Sequence, residues 1–373
     1  MNIAWFASSL VSSYWNGAAT YYRGLVRALA ERGHDVTFYE PDAYERQAHR
    51  DLDDPPWASV VVWQPTAANA RRLVRAARSA DLVVKASGVG VLDDVLDDAV
   101  ASLDGPTRIF WDVDAPATLA AGDERFAALV PRFDLVLTYG GGDPVVERYL
   151  DLGARECVPI YNALDPETHH PVDPDPRFEA DLGFLGNRLP DREARVERFF
   201  LRAAELLPER RFLLGGSGWE TREPPANVAY VGHVGTADHN AFNVTPLAVL
   251  NVTRDSMVAN GWSPPTRVFE AAGAGACLIT DAWQGIEEFL DPGTEVLVGR
   301  NGHDVAGHVQ GLSPDMAAKV GAAARDRVLR DHTYAQRAEQ VESVLGGRRL
   351  DGARQGAETP ALPASGAGHG VRA

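Results

Sequence analysis

Glu270 is the only charge between Val268 and Thr280, in VFEAAGAGACLIT. A lone carboxylate on an apolar helix is costly unless donors reach it, and Phe269, Ala271, Ala272 and Ala274 offer none. Ser263, Thr266, Arg267 and Glu270 are three, four and seven residues apart, which places them on one face of a helix. Ser263 reads as the N-cap, with Pro264 and Pro265 in the first helical positions. The helix is expected to run to about Ala276 and to give way to a buried strand from Cys277 to Thr280. Its first turn offers unpaired N–H groups and a positive dipole end, so an anion suits it. A ligand with phosphates over Thr266 and Arg267 and two hydroxyls donating to Glu270 satisfies every group. That describes a nucleoside diphosphate with its ribose. The same residues also allow Glu270 to pair with an arginine from another helix, the small residues then being close packing alone.

Other chemistry-bearing residues follow apolar runs. Asp112-Val113-Asp114 comes directly after one, and two carboxylates at that spacing have three readings: a polar group in the cleft, a helix N-cap, or a metal site, in that order. Gly17, Ala18 and Ala19 let a backbone approach a ligand at a helix start, although a tight turn needs no more than these residues. Tyr139 and Gly140 open a glycine-rich loop, and Gly216 lies in a further one. Arg254, in NVTRD, is a phosphate candidate. Arg188 and Arg192 are candidates for positive charge or for solvated helix residues.

The elements that must position these residues alternate. Apolar runs at Ile3 to Ala7, Val36 to Tyr39, Val60 to Trp63, Leu82 to Lys85, Arg108 to Trp111 and Leu135 to Thr138 are separated by helical stretches. The pattern repeats at Leu182 to Leu185, Phe212 to Leu214, Val228 to Val231 and Leu247 to Val252. Such alternation predicts parallel sheets covered by helices on both faces, with ligands bound at the carboxyl ends of the strands. The expected organisation is a first Rossmann-like domain over 1–165, a linker over 166–180, a second over 181–313, closing helices over 314–345, and a disordered tail over 346–373. His169 and His170, inside the linker, are expected to be solvated.

The segment 269–298, FEAAGAGACLITDAWQGIEEFLDPGTEVLV, resembles the donor-binding segment of GT-B glycosyltransferases of the family 4 type, most closely their CgeB-like relatives. The run NGAATYYRGLVRALAERGHDVTFYE (16–40) and the closing HTYAQRAEQVESVL resemble the same family, as do the D-x-D-x-P segment at Asp112 and the turn at Asn162 and Asp165. The resemblance implies a GT-B fold, two Rossmann-like domains facing a cleft, with Glu270 on the nucleotide ribose. It matches Gly186, Arg188 and Arg192 to the family's residues at the diphosphate. It implies glycosyl transfer with retention and without metal, from a nucleotide-diphosphate sugar co-substrate and no other cofactor, to a small-molecule or glycan acceptor. Many family 4 enzymes carry a second glutamate eight positions earlier, where this chain has Trp262. A nucleotide-sugar epimerase and a non-catalytic sugar-nucleotide binder are the alternatives.

Composition narrows the partners. The chain has 373 residues, enough for two cores, and a net charge of −16, which argues against nucleic acid or an anionic membrane surface. Two cysteines, Cys157 and Cys277, sit in apolar runs with no metal-ligand spacing and are expected in the core. No apolar run approaches the roughly 20 residues of a membrane span, and a reducing cytoplasm fits.

Overall fold

The thirteen strands among the described residues of the computed structural model are short and largely apolar, and the central ones are buried on both faces. Strands buried on both faces have no polar side to alternate, which is why the sequence shows continuous apolar runs. The structure describes residues 1–355, and the tail expected beyond them lies outside the described residues. Seven strands form the first sheet: β1 (Asn2–Phe6), β2 (Asp35–Pro41), β3 (Ser59–Trp63), β4 (Leu82–Ala86), β5 (Thr107–Asp112), β6 (Leu135–Thr138) and β7 (Cys157–Pro159). Six form the second: β8 (Leu182–Leu185), β9 (Phe212–Gly215), β10 (Val228–Gly232), β11 (Ala248–Asn251), β12 (Leu278–Asp281) and β13 (Leu297–Gly299).

The first sheet has the order β3-β2-β1-β4-β5-β6-β7 and the second β10-β9-β8-β11-β12-β13, every pairing parallel. This is the expected α/β architecture of two Rossmann-like sheets. In each, chain order reverses beside the first strand, at β1/β4 and at β8/β11, and a crevice opens outside the carboxyl ends there. The loops leaving β1, β4 and β5 form one rim, and those leaving β8, β9, β11 and β12 form the other. Both cysteines are free and buried, as core residues.

Three expectations are corrected. The organising helix spans Thr266–Ala274, and Ser263 is not its cap: its hydroxyl donates to the Gly261 carbonyl at 2.9 Å. A proline disfavours the α region for the residue before it, so Pro264 and Pro265 together hold the chain extended, with Pro265 at φ −61° and ψ 150°. The helix also ends early, because Gly275 takes φ 81° and closes it. Finally, the last helix runs Tyr334–Gln355, past the expected end at Leu345 into the stretch read as disordered. No described helix is long and apolar enough to cross a membrane.

Candidate functional site

The rim of the second sheet is built around buried Asp281, the last residue of β12. Its carboxylate accepts from the Thr253 N–H at 3.0 and 3.1 Å, from the Thr253 hydroxyl at 2.9 Å and from Arg195 at 2.5 Å. These bonds clamp the loop after β11 against the helix start after β8 and so place Arg254 beside Arg192. Sequence reasoning missed both Asp281 and Arg195. Their only signal was a threonine-aspartate pair closing an apolar strand.

Three guanidinium groups meet there. Arg254 pairs with Asp191 at 2.6 Å, whereas Arg192 and Arg267 have no carboxylate within ion-pair distance among the described residues. Arg192 donates to the Asn187 carbonyl and leaves its Nε buried without a partner. Burial, with the charges of Arg267 and Arg254 behind it, pulls its pKa down to about 10. Arg267 touches Asn243 Oδ1 at 3.4 Å; burial lowers its pKa too, and Glu270 opposes the fall. Arg192, depressed by burial and by the neighbouring charges of Arg267 and Arg254, stands in a positive field suited to an anion.

Glu270 sits one helical turn from Thr266, on the buried side of its helix. Burial by itself would raise its pKa, yet His169, Arg267, His239 and the Thr266 hydroxyl together hold it below the usual glutamate value. It is an ionised carboxylate, with His169 Nε2 at 4.0 Å. This corrects the reading of His169 as solvated: it is 4% exposed and faces Glu270 across the 162–180 segment. Neither of the two alternatives weighed for Glu270 involved a histidine. His169 and His239 lie far from Glu270 in the chain and next to it in space.

The first sheet's rim treats its carboxylates differently. Asp112 is fully buried, and its oxygens accept from the Asp114 N–H at 2.9 Å, the Thr118 hydroxyl at 2.8 Å and the Tyr149 hydroxyl at 2.5 Å. It holds the turn into the helix Ala115–Ala120, whose N-cap residue is Asp114, and both its oxygens are bonded within the protein. Asp114 is only partly covered, and no described donor reaches its carboxylate. Burial, then Asp112, raises its pKa, while Arg254 lowers it. Tyr139 lies between the two rims; burial and Asp114 push its hydroxyl pKa up.

The remaining candidates divide. Arg188, a candidate for positive charge at the diphosphate, is paired with Glu193 at 2.5 Å and bonds Thr221 at 3.0 Å, so its guanidinium is engaged within the protein. Gly17 has open space around it, and Ala18 stands as the N-cap of the helix Ala19–Glu31, consistent with a place for backbone approach. Gly140 packs instead on the segment before the organising helix: a Cβ there would lie 3.1 Å from Ser263 Cα. Gly216, at φ 115°, presses on Gly186, whose carbonyl a Cβ would meet at 2.3 Å. Both glycines permit close backbone contact within the protein. Trp262, at φ 41°, is wedged against Gly142 and Gly285, and its indole N–H reaches Glu288 at 2.5 Å. Its carbonyl accepts from the Gly141 N–H at 2.7 Å, joining the rims.

A family model described as glycosyl transferase-like matches residues 192–343, the part that holds Arg192, Arg254, Arg267 and Glu270. No curated protein matches the chain. Among solved structures it is similar to sucrose-phosphate synthase from Thermosynechococcus elongatus, with TM-score 0.70, 14% identity, and 95% of this chain and 100% of that one covered. It is similar to Anabaena HepE in complex with UDP and glucose, with TM-score 0.65, 14% identity, and 93% and 100% covered. The apo lipopolysaccharide outer core galactosyltransferase WaaB gives TM-score 0.62, 12% identity, and 93% and 100% covered. The fold is the GT-B fold of those glycosyltransferases.

Proposed function

We propose that this chain is a glycosyltransferase that takes a hexose from a UDP-sugar and passes it, with retention and without a metal, to an acceptor held at the first sheet's rim. The observation that carries the reading is the charge pattern of the second rim. Two partly buried guanidinium groups without a carboxylate partner among the described residues, Arg192 and Arg267, stand beside a buried glutamate whose pKa is held low. A nucleoside diphosphate supplies the missing negative charge to the arginines, and its ribose hydroxyls supply the donors that Glu270 lacks. The glycosyl transferase-like match over residues 192–343 supports the class, and the HepE complex supports UDP.

In this reading Arg192, Arg267 and Arg254 take up the charge that develops on the departing diphosphate, and Glu270 fixes the ribose so that the sugar points toward Asp114 and Tyr139. Asp114 accepts a hydrogen bond from the acceptor. The Asp112 turn holds it in position and touches no substrate.

The test is UDP and UDP-glucose binding by calorimetry, with turnover of UDP-glucose, for the wild type and Glu270→Ala. Two charged hydrogen bonds to ribose, at about 1.5–3 kcal/mol each, predict at least a hundredfold loss in kcat/KM with an unchanged circular dichroism spectrum. A folded Glu270→Ala protein with full affinity for UDP-glucose overturns the assignment.

A further inference from the structure

The trio of His169, His239 and Glu270 does more than balance one charge. One nitrogen of each imidazole and one Glu270 oxygen all lie within 4.8 Å of one another. They come from three segments: the 162–180 connection, the first residue of the helix His239–Val244, and the organising helix. The segments are tied together beside the histidines themselves. Asn240 Nδ2 donates to the Thr168 carbonyl at 2.9 Å, and a Cβ on Gly273 would come within 3.0 Å of the His169 carbonyl. His239 also has its Nε2 3.3 Å from the Val234 carbonyl, the kind of outer bond that sets the tautomer and orientation of a ligating imidazole.

We propose that His169, His239 and Glu270 are a divalent-metal site of the zinc class, and that a metal bound there excludes the nucleoside from Glu270. Two imidazoles and one carboxylate are a donor set that zinc accepts in four-coordinate sites with one position left open. Donors on a tetrahedral zinc at about 2.1 Å stand roughly 3.4 Å apart, so the present spacing closes by rotation of side chains and leaves the backbone in place. Arg267 opposes the site, since a cation beside a buried guanidinium is repelled. Metal binding stands apart from the glycosyltransferase reading; the exclusion of nucleoside rests on it.

Calorimetry on the full chain, stripped with EDTA and titrated with ZnCl2, tests the site, and Co2+ in place of zinc reports tetrahedral geometry through its visible absorption. The expected result is one tight equivalent that weakens roughly a hundredfold in His169→Ala and in His239→Ala, and tightens in Arg267→Ala. Zinc affinity and stoichiometry unchanged in the folded His169→Ala/His239→Ala double variant overturn the site, as does the lack of any tight equivalent in the wild type. Competition is read with uridine, which has no diphosphate to chelate zinc. Its affinity is expected to fall when zinc is bound, and equal affinity with and without zinc overturns the exclusion. Failure of the metal-free protein to bind uridine or UDP counts against the glycosyltransferase reading and leaves the metal result standing.

Discussion

The two rims hold buried carboxylates of the same chemistry in opposite states. Asp112, on the first, is closed off by donors that are all neutral: a backbone N–H and the hydroxyls of Thr118, Tyr149 and Ser87. Its pKa is raised, chiefly by burial. Glu270, on the second, is buried too, yet its pKa is lowered because His169, Arg267, His239 and the Thr266 hydroxyl outweigh the burial. Asp112 therefore has its hydrogen bonds made within the protein, whereas Glu270 has charge nearby and few bonds. A satisfied buried carboxylate stabilises a turn, and an unsatisfied ionised one is available to a ligand. The contrast shows that the number of carboxylates in a motif says less about function than what is left for them to bond.

Asp112→Ala strikes the contrast hardest. It strands the Tyr149 hydroxyl and the Asp114 N–H and leaves the Thr118 hydroxyl only the Asp114 carbonyl, and the loss of a fully bonded buried group costs on the order of 3 kcal/mol of folding stability. Urea denaturation is expected to show that loss while UDP affinity stays as in the wild type. A stable Asp112→Ala protein with impaired UDP binding would put Asp112 in the ligand site and erase the difference between the rims.

Arg192→Ala is a smaller and more selective change. One charged hydrogen bond to a phosphate contributes about 1.5–3 kcal/mol, so UDP affinity is expected to fall roughly tenfold to a hundredfold while uridine affinity stays the same. Stability is expected to hold or rise slightly, because the variant removes a partly buried cation whose pKa is lowered by burial and by Arg267 and Arg254. Equal losses for UDP and uridine would mean that Arg192 shapes the pocket and does not touch phosphate.

Much of this arrangement was legible from residue order. The apolar runs located the strands because both faces of each sheet are covered, and the isolation of Glu270 signalled that something from outside its helix must reach it. What reaches it was not legible. His169 was read as a solvated residue of the connection, because nothing local shows that Gly273 lets that connection lie against the organising helix. Asp112 and Asp114 looked like a pair, and only the long-range contact from Tyr149 separates them into a structural residue and a free one. Ser263 failed as a cap for a local reason, two consecutive prolines, that the sequence did contain. Trp262 stands where a glutamate is common in the resembling family, and its wedge between Gly142 and Gly285 depends on both rims at once.

Arg188 gives the finest test of the contrast, because it follows Gly186-Asn187 at the second rim yet behaves like a residue of the first. Sequence position favours it as a phosphate ligand as much as Arg192. The structure separates the two: Arg188 has Glu193, Thr221 and the Gly218 carbonyl as partners, and its guanidinium also lies 6.0 Å from the Trp219 ring centre. Redirecting it to a ligand would break bonds already made, whereas Arg192 has a buried nitrogen with no bond to lose. Arg188→Ala is therefore expected to leave UDP affinity and kcat/KM for UDP-glucose at wild-type values. A loss matching that of Arg192→Ala would show that an existing ion pair does not keep an arginine out of the site, and the rule that separates the rims would fall with it.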